Sequence, residues 1–368
     1  MKKTIFLFLF ICFFNFVIFS IKIDYSKGPL YGKNMYVPLL IYYSFPSIMA
    51  SEGKKYQLEF HISNYYVQDF FTRSLNFDPN GEENFSYFNN KEYSKIKRYY
   101  DERDILRDYE SLNTEFGVSF YILKNLQVGT DFRLITYYGG FLDSVIEAFH
   151  VAFGFPGGAR ELFEKNRISL NIQNKNGVNL KLELDKPRVS IGDIDLWLKY
   201  TFFEKKFMSF AGLFAFKIPT GTISNLSGSG FPDIAFGLAA DFKPVWILSL
   251  YVQTGIVIPF DSFGFTSSKP YPMFNGLLAV ELNPFDFFSL IVQFNIKTLP
   301  INDGGDMKFG WDRSINYYDL PQINTLVGVK FRYKGFAWQI YAEEDSFTNQ
   351  GTDLTINAMF SYKIRFFE

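Results

Sequence analysis

Twelve runs of ten to fifteen residues, in which apolar positions alternate with polar or charged ones, occupy most of the chain beyond residue 54. Their approximate bounds are 55–66, 108–122, 125–137, 189–203, 206–218, 230–242, 245–259, 271–283, 286–298, 320–334, 336–345 and 354–367. In TEFGVSFYILKNLQVGTDFRLITYY, residues 114–138, Thr114, Phe116, Val118, Phe120 and Ile122 alternate with Glu115, Gly117, Ser119 and Tyr121. After Lys124-Asn125 the pattern resumes, with Leu126, Val128, Phe132 and Leu134 set against Gln127, Gly129, Asp131 and Arg133. Period two is the strand signal, and a short polar pair between two such runs reads as a hairpin turn. The runs are about twice the five to six residues of an ordinary globular strand. A face of Phe288, Leu290, Val292, Phe294 and Ile296 opposite Ser289, Gln293, Asn295 and Lys297 asks for hydrocarbon on one side and a polar interior on the other. Arginine on the lipid side at mid-membrane costs about 2–4 kcal/mol, and closing the ring removes edges that hydrocarbon cannot satisfy. The sequence therefore predicts an all-β chain: a transmembrane antiparallel up-and-down β-barrel of about 12 strands, spanning 55–368. On this reading Arg at Leu198 or Val292 blocks assembly or destabilises by a few kcal/mol, whereas Arg at Ser289 or Gln293 is tolerated and alters conductance instead.

The connections carry a second signal. Short ones at Leu123-Lys124, Glu204-Lys205, Lys243-Pro244, Asn283 to Phe285 and Gly335 alternate with long ones at 67–107, 138–188, 219–229, 260–270, 299–319 and 346–353. Outer-membrane barrels keep short turns in the periplasm and long loops outside, so both termini are expected to be periplasmic and the strand count even. MYVPLLIYYSF at 35–45 looks like a further strand, but Pro38 lacks the N–H that a doubly paired strand needs. Residues 21–54 are read instead as an ordered N-terminal segment in the periplasmic mouth; the alternative is an unrecognised partner strand and a barrel of 14. In the second long connection, Ser144-Val145-Ile146-Glu147 has capping-box spacing, and Val145, Ile146, Phe149 and Phe153 share a helical face. This short helix is read as a lid over the pore or as packing on the rim. ARELFEK is a candidate second helix and 168–183 a hairpin.

Composition and the N-terminus fix the compartment. MKK followed by IFLFLFICFFNFVIF and Ser20 has the charged, apolar and small-residue regions of a signal peptide, 1–20, with an uncleaved anchor as the alternative. The single cysteine, Cys12, lies inside that apolar region, so the mature chain has neither disulfides nor thiolate chemistry. No later stretch is apolar enough to span a bilayer as a helix. A formal net charge of −1 leaves no basic excess for phosphate neutralisation, which excludes nucleic acid as a partner. Aromatic residues make up 20% of the chain, more ring surface than a soluble core hides, so part of it faces lipid or an interface. Phe366-Phe367 ends the last run in aromatics, as in the strands that outer-membrane barrel-assembly machinery recognises, although Glu368 follows.

GPLYGKN and VPLLIYYSFP near the N-terminus, EAFHVAFGFPGGAR at 147–160, and KIPTG with GSGFPDIAFGLA at 217–239 resemble a family of bacterial outer-membrane barrels of unknown function. The resemblance implies an outer-membrane barrel and supplies no substrate. The residues offer no catalytic constellation. His61 alternates with Phe60 and Ile62 and points inward, His150 lies on the loop helix, and Asp193 with Asp195 is a carboxylate pair without an evident pocket. GFPGGAR and SGSGFP lack the lysine and the strand–glycine–helix context of a phosphate loop, and NDGGD at 302–306 is too short for a calcium loop. No cofactor or metal is expected. Inward positions of the early strands carry Glu59, Glu115, Asp131, Asp193, Asp195, Asp233 and Asp241 with Arg133, Lys199 and Lys217. Those of the late strands carry Lys297, Lys330, Arg332, Lys363 and Arg365 with Glu281 and Glu343. These residues are expected to line a lumen in which an acidic wall faces a basic one. The reading is an outer-membrane pore for small polar solutes; the alternatives are a plugged structural or adhesive surface barrel and, further off, a lipid-acting enzyme.

Overall fold

The computed structural model describes residues 26–36, 39–73, 105–153, 165–166, 168–173, 179–184, 186–260, 270–298, 321–345, 352 and 354–366. Its strands are β1 (Gln57–Arg73), β2 (Ile105–Leu123), β3 (Leu126–Tyr138), β4 (Ser169–Gln173), β5 (Asn179–Glu183), β6 (Arg188–Lys205) and β7 (Met208–Ile218). They continue as β8 (Asp233–Val245), β9 (Leu248–Pro259), β10 (Met273–Phe285), β11 (Phe288–Lys297), β12 (Gln322–Tyr333), β13 (Phe336–Glu344) and β14 (Leu354–Arg365). Twelve of them form a closed antiparallel ring in chain order, sealed where β1 pairs β14 from Gln57↔Arg365 to Gln68↔Leu354. The β4–β5 hairpin stays outside the ring, adding only to the far end of β2 through Ile105–Asp108, while β3 pairs directly with β6. The ring therefore has the twelve strands that the alternation implies and not fourteen.

The phase of each strand is as the side chains dictate. Val118, Phe132, Leu196, Phe214, Val252, Leu290 and Phe360 are exposed on the outer face, and Glu115, Asp131, Asp195, Ser289, Gln293 and Asn357 are buried inside. Outward pairs pack across adjacent strands: Phe116–Phe132 stacks with centroids 5.0 Å apart, and Phe214–Phe236 packs at a tilt with centroids 5.4 Å apart. Three of the five short turns lie beyond their expected positions, at Lys206-Phe207, Trp246-Ile247 and Asp286-Phe287. Each of these hairpins carries an irregularity before its tip, at Thr201/Phe203, Phe242/Val245 and Leu282/Phe285. An inserted residue shifts the alternation locally and lets the strand run on. Lys243 and Asn283, which read as turn residues, are thereby drawn into β8 and β10.

The loop helix α1 spans Leu142–Phe153, starting before the point its capping box at Ser144 implies. The Leu142 amide donates to the Glu110 carboxylate at 2.7 Å, so a strand side chain takes up an orphan donor at the helix start, and Ser144 lies inside the helix instead of at its cap. Leu142 and Ile146 are buried while Val145 is exposed, which rotates the apolar stripe away from the expected face. The signal peptide, the loop 299–319, the NDGGD stretch and the chain end beyond Phe366 lie outside the described residues.

The core of the molecule is inside the ring. Residues 26–36 and 40–51 run through the lumen, and Leu30, Met35, Tyr36, Leu40, Ile41, Tyr42, Tyr43 and Phe45 are all buried there. They pack against inward tyrosines of the wall, among them Tyr65, Tyr109, Tyr137, Tyr251 and Tyr341. Phe45 is seated over Gly237 and Gly255, which face each other across β8 and β9; a Cβ at Gly255 would stand 2.5 Å from its ring. Two facing glycines thus make a socket in an otherwise filled wall.

A plugged lumen and its vestibule

The luminal segment is bound mainly by wall side chains acting on its backbone. Its amides at Lys27 and Gly28 donate to Glu281, Tyr31 to Gln339, Tyr43 to Asp233, Ile48 to Gln253, and Ala50 and Ser51 to Asp241. Its carbonyls accept from Arg133 at Leu40, Lys217 at Ile41, Lys199 at Met49 and Ser51, Lys330 at Pro29 and Arg332 at Ser26. Lys297 donates to the Ser44 hydroxyl. The first backbone-to-backbone bond between the segment and the wall among the described residues is at its exit, Gly53 N to Lys124 O, 2.8 Å. A strand of the ring shares its backbone bonds with two neighbours; this segment is held by side chains that reach in from the wall.

One wall contact is an ion cluster. The Lys33 ammonium lies 3.0 Å from Glu115, 2.9 Å from Asp131 and 2.9 Å from Asp195, with all four side chains buried. Burial works against its charge, but the carboxylates of Asp131, Asp195 and Glu115 outweigh that and hold its pKa well above the ordinary lysine value. Tyr31 donates to Glu115 and the Trp197 indole to Asp131, so the carboxylates are pinned from other directions too. A second cluster, between wall strands, sets Lys217 3.1 Å from Asp193 and 2.9 Å from Asp233. Asp193 also accepts the Gly221 amide, and Lys217 donates to Ser229, which folds the SGSGFP stretch into the mouth of the barrel at the end with the long connections.

Each residue assigned to the lumen from the sequence can now be placed. Glu115, Asp131, Arg133, Asp193, Asp195, Lys199, Lys217, Asp233, Asp241, Glu281, Lys297 and Glu343 are buried. Lys330 and Glu59 are half-buried, and Arg332, Lys363 and Arg365 are exposed at the end with the short turns. Lys363 pairs with Glu59 at 3.3 Å, and Glu343 accepts from Asn324. The expected confrontation of an acidic and a basic wall is not what occupies the middle of the lumen, because the N-terminal segment lies between them and takes up most of these groups. The two carboxylates first noted as a pair are divided: Asp193 belongs to Lys217 and Asp195 to Lys33.

Inside the short-turn end lies a cavity of about 770 Å³ between the two limbs of the segment and strands β12, β13, β14 and β1. Ser26, Gly28, Ile48, Met49, Ser51 and Gly53 line it on the segment side, and Lys330, Arg332, Gln339, Met359, Ser361 and Lys363 on the wall side. His61 is buried, as its alternation implies, with Nε2 3.6 Å from Glu115 and 3.5 Å from Asp131. Among the described residues these three alone form a group with metal-ligating geometry, and Lys33 already sits on two of its carboxylates. The side chain of His150 lies outside the described residues.

In fold the barrel is similar to the COG4313 outer membrane channel from Pseudomonas putida F1, with a TM-score of 0.51 and 10% identity over 85% of this chain and 97% of that one. A weaker likeness, TM-score 0.37 and 9% identity over 86% and 90% of the two chains, is to the toluene transporter TbuX of Ralstonia pickettii. A comparison with curated proteins finds no match. A family model described as protein of unknown function (DUF3187) matches residues 93–364, which takes in β2 and all but the last residue of β14 and leaves out the luminal segment and β1. On that match the chain belongs to the DUF3187 family of proteins of unknown function.

Proposed function

We propose that the protein is an outer-membrane channel for small polar solutes, held closed by residues 26–51 in the conformation described and opened when that segment leaves the lumen. The apolar outer face suits a bilayer and supports this reading; with the signal-peptide reading of residues 1–20 the membrane would be the outer one, and the short turns would face the periplasm. The observation that carries the reading is the way the segment is bound. Wall side chains hold its backbone groups, and up to Gly53 it shares no ladder with the wall among the described residues. It can withdraw without breaking the barrel, and the side chains it uncovers, from Asp241 to Arg133, are charged and ready for water and polar solute.

The rival reading, a permanently filled structural barrel, draws on the same burial: twelve strands lie between a filled interior and an aqueous channel. Liposome swelling separates the two. Protein lacking residues 26–51 should admit small sugars and amino acids while the full chain admits them slowly. If both forms leave the vesicles impermeable, the structural barrel stands.

A further inference from the structure

The cavity at the short-turn end is lined by nine lysine and arginine side chains and three carboxylates, Glu52, Glu59 and Glu204. What the cations are bonded to matters more than their number. Lys199 donates to Met49 O and Ser51 O, Lys330 to Pro29 O and Arg332 to Ser26 O. A carbonyl takes a hydrogen bond without cancelling a charge, so these three hold the plug in place with no carboxylate partner of their own among the described residues. Lys363 is answered by Glu59 at 3.3 Å, whereas Glu52 turns to Lys124, also 3.3 Å away. The chamber therefore carries a surplus of positive charge behind low-dielectric walls, the condition under which a cleft concentrates anions. Its lining is not uniformly polar: Ile48, Met49 and Met359 offer an apolar patch beside the cations.

We propose that this vestibule is a binding site for small organic anions, carboxylates above all, with the anionic group among Lys330, Arg332, Lys363 and Arg365 and the apolar body against Ile48, Met49 and Met359. It rests on the channel reading only for what becomes of the anion afterwards, since binding requires a chamber and not a through-path. Two of the cations that would greet the anion, Lys330 and Arg332, also hold the plug by its first limb. An anion seated there competes with the carbonyls of Pro29 and Ser26 for the same donors, which couples occupancy to loosening of that limb.

Calorimetric titration of the full-length protein in neutral detergent, with benzoate as the probe, tests the site, and benzyl alcohol serves as its uncharged counterpart. Benzoate should bind, the alcohol should not, and the benzoate affinity should fall by about tenfold or more from low to high salt as the charges are screened. The variant Lys54→Gln/Lys363→Gln/Arg365→Gln removes three cavity charges that make none of the plug contacts named above, and should weaken benzoate by a similar factor. Lys363→Arg with Arg365→Lys keeps both charges and should retain most of the affinity that the glutamine variant loses. Equal binding of benzyl alcohol, absence of any benzoate heat, or full affinity in the triple-glutamine variant would overturn the proposal; if that variant fails to form a barrel, the salt and alcohol arms decide on the wild type. Conductance measured on the same samples reports the channel reading separately, because binding without current leaves this site standing and current without binding removes it.

Discussion

At Lys33 one ammonium answers three buried carboxylates that approach it from strands β2, β3 and β6. Removing one partner of a buried ionic set leaves the others desolvated and unpaired, a loss of about 3–5 kcal/mol. Lys33→Ala should accordingly undock the segment and leave the ring intact. Hydrogen exchange should accelerate in residues 26–51 while β6 to β11 keep their protection; loss of protection in both together would make the lysine a determinant of the barrel itself. A second residue-scale prediction concerns the socket for Phe45. Gly255→Val places branched carbon where a Cβ already stands 2.5 Å from the Phe45 ring, and should displace that part of the segment at a cost of about 1–3 kcal/mol. The same exchange measurement should localise the change to 40–51. Neither site was legible in the sequence. Asp131 and Asp195 could be assigned inward by period two alone, but their counter-ion lies 98 and 162 residues away in a stretch that reads as apolar. Only the closed ring brings them together.

Strands are the scale at which the sequence is most informative, because each has a lipid face and an inner face and period two keeps them apart. Val292 is exposed on the outside of β11, so Val292→Arg should destabilise by about 2–4 kcal/mol if the position lies near mid-membrane. The inner face is less permissive than alternation implies. Ser289 and Gln293 are fully buried, the first donating to Glu281 and the second to Ser47 of the luminal segment. Gln293→Arg, expected from the sequence to be tolerated, should instead dislodge the segment by overpacking, and urea unfolding followed by heat-shifted gel mobility will show both variants weakened, with only Val292→Arg impaired in assembly. The hairpin tips were misplaced by two or three residues for a related reason. Lys243, Pro244 and Asn283 have turn chemistry, but the irregularities beside them let β8 and β10 run on to Trp246-Ile247 and Asp286-Phe287. Propensity marks where a strand weakens, and the inserted residue decides where it ends.

As a whole, the molecule is a ring of twelve strands around a length of its own chain, and much of its large aromatic content is explained by having two apolar surfaces to cover. Phenylalanine dominates outside, while tyrosines such as Tyr65, Tyr109, Tyr137, Tyr251 and Tyr341 are turned inward against Tyr36, Tyr42 and Phe45. The inward charges of the lumen hold the plug where it is present and, among the described residues, are most open to solvent in the vestibule, between the two limbs of the plug. A channel function requires that plug to be removable. Single-channel recording in planar bilayers tests it most directly, comparing wild type with Lys33→Ala and Lys33→Arg. Wild type should be shut with rare openings, Lys33→Ala should show a stable ohmic conductance with a far higher open fraction, and Lys33→Arg should resemble wild type because the charge is kept. No current from Lys33→Ala, in protein that exchange shows to be undocked, would contradict the channel and leave a barrel that is filled for good.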